Sequence, residues 1–195
     1  MDDPYAARRR DFLKTGTVAA AAAAVACGGG TSRFRVLTDA EALTLRAACE
    51  QIVPKDQDPG AGEAGAVAFI DRQLATRAKR DVARWRAGIR GLDAGSRRRY
   101  GVPFAAAAFD DQTALLRELE QGVAEAADWN GIAPAAFFRL LRDYTMMGFY
   151  GDPRHGGNKD RASWRMLGVP DPPIRGRLHE TQPPPALAPR PSRKG

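Results

Sequence analysis

The chain is 195 residues long and carries 30 Lys+Arg against 23 Asp+Glu, a formal charge of +7. That length supplies one sizeable core but not a large cofactor domain plus a second one, and 44% apolar with 27% charged residues is ordinary for a soluble globular protein. With two cysteines, two histidines and no C-x-x-C, a four-ligand zinc site would consume every thiol and imidazole, and no run reaches the roughly 18 uncharged apolar residues of a spanning helix.

Residues 1–26 read as an export signal. Arg8-Arg9-Arg10 precede Asp11-Phe12-Leu13-Lys14, and Thr15 to Ala26 is an uncharged, mildly apolar, Ala-rich stretch. A charged head, a short apolar segment and a small-residue exit are the parts of such a signal. The pattern Arg9-Arg10-x-Phe12-Leu13-Lys14 resembles the twin-arginine signal, whose translocon passes folded proteins. A basic, Ala-rich N-terminal helix would not explain the paired arginines, the Phe-Leu-Lys and the exit together. The exit can be cut in two ways, both just before Cys27. Ala24-x-Ala26 suits an ordinary signal peptidase. Ala24-Val25-Ala26-Cys27 followed by Gly28-Gly29-Gly30 resembles a bacterial lipobox and tether, in which the Cys27 thiol takes a diacylglycerol and the new N-terminus a third chain. We favour the lipid anchor, with 27–33 as a Gly-rich tether.

From 34 to 170 the chain reads as one helical domain. Thr38-Asp39-Ala40-Glu41 is a capping box; Leu45, Cys49 and Ile52 follow at helical spacing until Pro54 stops the run. Cys49 sits in that stripe as a small core residue, with a disulfide to another subunit as the alternative role. A second helix spans Glu63 to about Arg77 with Val67, Ile70 and Leu74 on one face. An Arg-rich third carries Val82, Trp85, Ile89 and Leu92. Asp110 or Asp111 is expected to cap a fourth, with Leu115, Leu116, Leu119 and Val123. Pro134 suits the first turn of a fifth, whose stripe is Phe137, Phe138, Leu141, Tyr144 and Met147–Gly148. No alternating segment with turn chemistry occurs, so the expected fold is all-α with about five helices. Gly60-x-Gly62-x-x-Gly65 spells a dinucleotide-binding pattern, but such a turn must follow a strand. Here it follows a capped helix and two prolines, and Trp85 stands about where a ribose-binding acid should be; the glycines are expected to supply a tight connection and a helix start.

The segment 148–160 holds four glycines, a proline and an asparagine, and is expected to leave the helix as a long composed loop. His155 there has no nucleophile and orienting acid that can be argued beside it. Beyond 170 the tail has seven prolines in 25 residues, five basic and two acidic, and is expected to be extended and disordered when free. Most of the net positive charge lies outside the domain, since 34–170 carries 20 basic and 18 acidic residues. The high overall pI is therefore no argument for nucleic-acid binding. Within the domain, 71–99 has ten basic and three acidic residues, whereas 101–128 has one and six. Two helix faces that attract each other explain this; a basic surface meeting an acidic partner or anionic headgroups is the sharper alternative.

Gly148-Phe149-Tyr150-Gly151-Asp152-Pro153, Gly156-Gly157-Asn158, Asp160 and Trp164-Arg165-Met166-Leu167-Gly168-x-Pro170 together resemble the small subunit (subunit 3, or gamma) of the gluconate 2-dehydrogenase family. Leu37-Thr38-Asp39-Ala40-Glu41, Ile52-Val53-Pro54, Pro59-Gly60-Ala61 and Phe69-Ile70-Asp71 match the family's first two helices in order, as does the twin-arginine leader. His155 stands where the family usually has Tyr, and Ala162-Ser163 replaces a Gly-containing approach to Trp164. The resemblance implies a non-catalytic partner of a large FAD-dependent dehydrogenase of the glucose–methanol–choline class, in some cases with a cytochrome c subunit. The chain itself then holds no cofactor, metal or catalytic residue. The large subunit, lacking its own signal, would cross the membrane bound to this leader. Phe149, Tyr150, Asp152, Pro153, Gly156, Gly157, Asn158 and Trp164 become the candidate partner contacts. A stand-alone membrane-tethered binding lipoprotein is the second reading, and an independent enzyme the third.

Overall fold

The computed structural model describes residues 33–169. Among them 69% are helical, in six α-helices with no strand, and none of the helices is long and apolar enough to cross a membrane. The first helix, α1 (Asp39–Ile52), begins at a complete capping box. The Glu41 amide donates to Thr38 Oγ1 at 3.2 Å and the Thr38 amide to Glu41 Oε2 at 2.8 Å, an arrangement worth about 1 kcal/mol. It ends before Pro54, which cannot donate to the next turn.

The second helix, α2 (Ala66–Ala75), is shorter at both ends than the expected 63–77. Residues before it close a tight turn, with the Ala64 amide on the Gly60 carbonyl. Gly65 enters the helix at φ +82°, a conformation that favours glycine. Gly60 and Gly62 leave room for the Glu50 carboxylate: a Cβ on either would stand within 2.6 Å of it. That carboxylate accepts the Lys55 and Gly62 amides at 2.8 and 3.0 Å. The glycine pattern is thus a folded connection and a helix start.

Helix α3 (Val82–Tyr100) ends at Gly101 in the left-handed region. Helix α4 (Phe109–Gln121) corrects the expected cap. Ala108 precedes it without a side-chain cap bond, and Asp110 and Asp111 lie inside the first turn, where their charge complements the helix dipole. Gly122 closes α4, so Val123, expected on its buried stripe, lies past the end and is 66% exposed.

Helix α5 (Pro134–Tyr150) starts with proline at its first position and packs against all the others, including the short α6 (Ala162–Leu167). Its inward stripe is Phe137, Leu141, Thr145 and Phe149, all essentially buried. The Trp85 ring, also fully buried, meets Phe137 and Tyr144 edge-on at 5.8 and 5.4 Å between centroids, a geometry favoured by the ring quadrupoles. The segment entering α1 is fastened to α2 by Asp71. This buried carboxylate accepts the amides of Arg35, Val36 and Leu37 at 2.8, 2.9 and 3.0 Å. Arg86 adds a bond to the Val36 carbonyl and an ion pair with Glu41.

Candidate functional site

Helix α5 runs on through Gly148, Phe149 and Tyr150, which were expected to open the loop. Gly148 is accommodated because its bare Cα faces α2: a Cβ there would meet Ala66 and Phe69 at 3.1 Å. The chain then folds back, and Gly157 lies against the Gly148 carbonyl so closely that a Cβ would stand 2.1 Å from it. Close backbone approach is the requirement at both glycines.

Asn158 ties the segment together. It is fully buried at φ +45°, a conformation Asn tolerates better than most residues. Its amide donates to the Gly148 carbonyl at 2.8 Å, its Nδ2 to the Gly151 carbonyl at 2.9 Å, and its Oδ1 accepts the Ser163 amide at 3.0 Å. The neighbouring Lys159 amide reaches the Ala64 carbonyl at 2.8 Å. One side chain therefore links the end of α5 to the start of α6. Asp152 and Pro153 begin a 3-10 turn, Pro153–His155, in which the Asp152 carboxylate accepts the Arg154 amide at 3.0 Å and pairs with its guanidinium. The Trp164 indole donates to the Tyr150 carbonyl at 3.0 Å, holding α6 to the end of α5.

The candidate contacts therefore divide. Phe149, Gly157 and Asn158 are buried, while Asp152, Pro153, Gly156 and Trp164 are half-buried. Tyr150 is exposed. The leader residues Arg9, Arg10, Phe12, Leu13 and Lys14, the cleavage or acylation position Cys27, and the tail 171–195 lie outside the described residues.

Beside Tyr150 lies a groove of about 460 Å³ between α2 and α5, with Phe69, Met146, Met147 and Tyr150 as its apolar wall and Gln73, Arg77 and His155 at its polar edge. Met147, expected on the inward stripe, is 53% exposed. It lies two residues, roughly 200° of helical rotation, from the buried Thr145 and so points the other way. Sequence reasoning missed this face. The available signal was the spacing by fours of Phe137, Leu141, Thr145 and Phe149, which leaves both Met146 and Met147 off the stripe.

Charges sort in the same region. Of the ten basic residues in 71–99, Arg98 pairs with Asp128 and Arg99 with Glu118, joining the basic and acidic stretches. Arg84, Arg86 and Arg97 pair with Asp81, Glu41 and Asp93. Each exposed pair contributes about 0–1 kcal/mol. The other five, Arg72, Arg77, Lys79, Arg80 and Arg90, are exposed and form no ion pair within the described residues. Among those residues no three His, Cys, Asp or Glu side chains gather as a metal site needs. Cys49 is fully buried and receives a hydrogen bond from the Thr145 hydroxyl at 3.2 Å. Burial pushes its thiol up to about 12, so the reactive thiolate is suppressed, as fits the core role.

A model of the family described as gluconate 2-dehydrogenase subunit 3 matches residues 39–170, from the first residue of α1 to just past α6. The chain belongs to that family. No curated protein and no solved structure matches it. A gluconate 2-dehydrogenase subunit 3 is an accessory subunit of an oxidoreductase complex, and the matched span includes the whole Asn158-centred fold-back and the groove beside it.

Proposed function

We propose that this chain is the non-catalytic small subunit of a membrane-associated, FAD-dependent sugar or sugar-acid dehydrogenase of the glucose–methanol–choline type. It steadies the flavoprotein subunit and carries it, already folded, through the twin-arginine translocon. The observation that carries this reading is the family match across the whole helical domain, joined in one polypeptide to Arg9-Arg10-x-Phe12-Leu13-Lys14. Stabilisation follows from mass action: a partner that binds only the folded flavoprotein stabilises it by about 2.7 kcal/mol at a hundredfold excess over Kd. FAD belongs to the partner subunit in this reading, and where the complex includes a cytochrome c subunit, that subunit takes the electrons onward. Cys27 anchors the mature chain to the outer face of the membrane through its lipid.

Replacing Arg9-Arg10 by Lys-Lys while co-producing a flavoprotein subunit of the glucose–methanol–choline type from the same source tests the carrier role. The expected result is retention of the flavoprotein and its dye-linked activity in the cytoplasm; full arrival in the periplasm would overturn the proposal. A stand-alone lipoprotein using the 71–99 stretch on lipid is the weaker reading, because five of its ten cations are held in ion pairs with the chain's own carboxylates.

A further inference from the structure

The groove wall between α2 and α5 is built from Met146, Met147 and Tyr150, side chains that combine apolar area with adaptability. Arg77 lines the same groove, and Lys79 and Arg80 follow it on the 3-10 turn Lys79–Asp81. No acidic side chain lines the groove, and these three cations have no ion-pair partner among the described residues. Every ion-paired arginine of the 71–99 stretch lies from position 84 onward; Arg72 and Arg90 are unpaired as well, but Arg77 is the unpaired cation that lines the apolar wall itself, with Lys79 and Arg80 close behind it in the chain.

We propose that this groove seats an acidic amphipathic segment of the flavoprotein partner, with its apolar side chains against Met146, Met147 and Tyr150 and its carboxylates on Arg77, Lys79 and Arg80. The assignment rests on the subunit reading above and gives it an address on the surface. Charge selects this occupant over the others. The chain's own tail has five basic residues against two acidic ones and would bring like charge to like. A second copy docking through the same face would oppose the same three cations across a two-fold axis. Opposite charge around an apolar anchor sets partner choice and association rate more than affinity alone.

The test uses the full chain co-produced with the same flavoprotein subunit. A photoreactive phenylalanine analogue at Met147 is compared with one at Leu43, which is exposed on α1 and lines a different pocket. The expected result is a cross-link from position 147, and none from 43, to an Asp/Glu-containing segment of the flavoprotein. Combined Arg77→Glu and Lys79→Glu should weaken the complex about tenfold or more and flatten its salt dependence, with the melting temperature of the free chain unchanged. If the flavoprotein co-purifies but cross-links only from position 43, or if the charge reversal leaves Kd unchanged, the groove assignment is overturned and the subunit reading stands. Cross-links from 147 to the chain's own tail, to a second copy or to phosphatidylglycerol overturn it equally. Absence of any complex with the unmodified chain overturns both.

Discussion

Asn158 uses both ends of its amide on the main chain, donating to Gly151 and accepting from Ser163, with no solvent exposure. Removing such a side chain leaves a buried carbonyl and a buried amide unpaired. Asn158→Ala is expected to cost about 2–4 kcal/mol in urea denaturation. Asn158→Asp should cost no less, because a carboxylate cannot donate to the Gly151 carbonyl. Cys49 makes a different forecast. Its thiol is held protonated up to about 12, against 9.0 for a free thiol, so the folded chain retains a proton that the unfolded chain releases. The contribution is whole below pH 9.0 and shrinks as pH rises toward 12, by up to roughly 1.4 kcal/mol per pH unit. Cys49→Ala should flatten that alkaline loss in a pH series of melting curves, and native Cys49 should resist iodoacetamide at pH 8.

Helix α5 and the return strand of backbone behind it form one construction. Gly157→Ala would force a Cβ to 2.1 Å from the Gly148 carbonyl, and since both sides of the contact are backbone neither can rotate away. It is expected to lower stability by about 3 kcal/mol or more and to expose amides of 158–163 to hydrogen exchange. At this scale the residues themselves announced most of what formed. The capping box at Thr38, the proline opening α5 and the inward stripes of α1, α2 and α3 follow from periodicity and cap chemistry, which are local. The errors fell where a tertiary contact outweighed a local rule. Gly148 looked like a helix breaker, yet packing against α2 keeps the helix going for two more residues. Asp110 and Asp111 looked like caps, yet the helix already starts at Phe109 and uses their charge in its first turn. Asn158 was legible as a turn residue but not as a buried link, because its partners lie at 148, 151 and 163. The groove was hidden by treating Met147 as core.

At the scale of the whole molecule the buried cluster extends from Leu37 to Ala162, all of it but Leu37 inside the span matched by the family. A fragment of residues 33–170 is therefore expected to fold alone, with helical circular dichroism and a melting temperature matching that of the full chain; a loss of cooperativity would show that the flanks supply core contacts. The basic and acidic stretches join through Arg98–Asp128 and Arg99–Glu118, while Arg77, which forms no ion pair within the described residues, shares the groove with Met146 and Met147.

Asp71 grips the backbone at three successive amides just before α1, and Arg86 holds the carbonyl of the middle residue. Suppose the chain is towed by its leader. Tension arriving along the residues before Phe34 then meets bonds strained together, and passes into α2 and α3 before it can unwind the first turn of α1. A hitch of this kind lets a small domain bear a pull as one piece, with its cargo still seated.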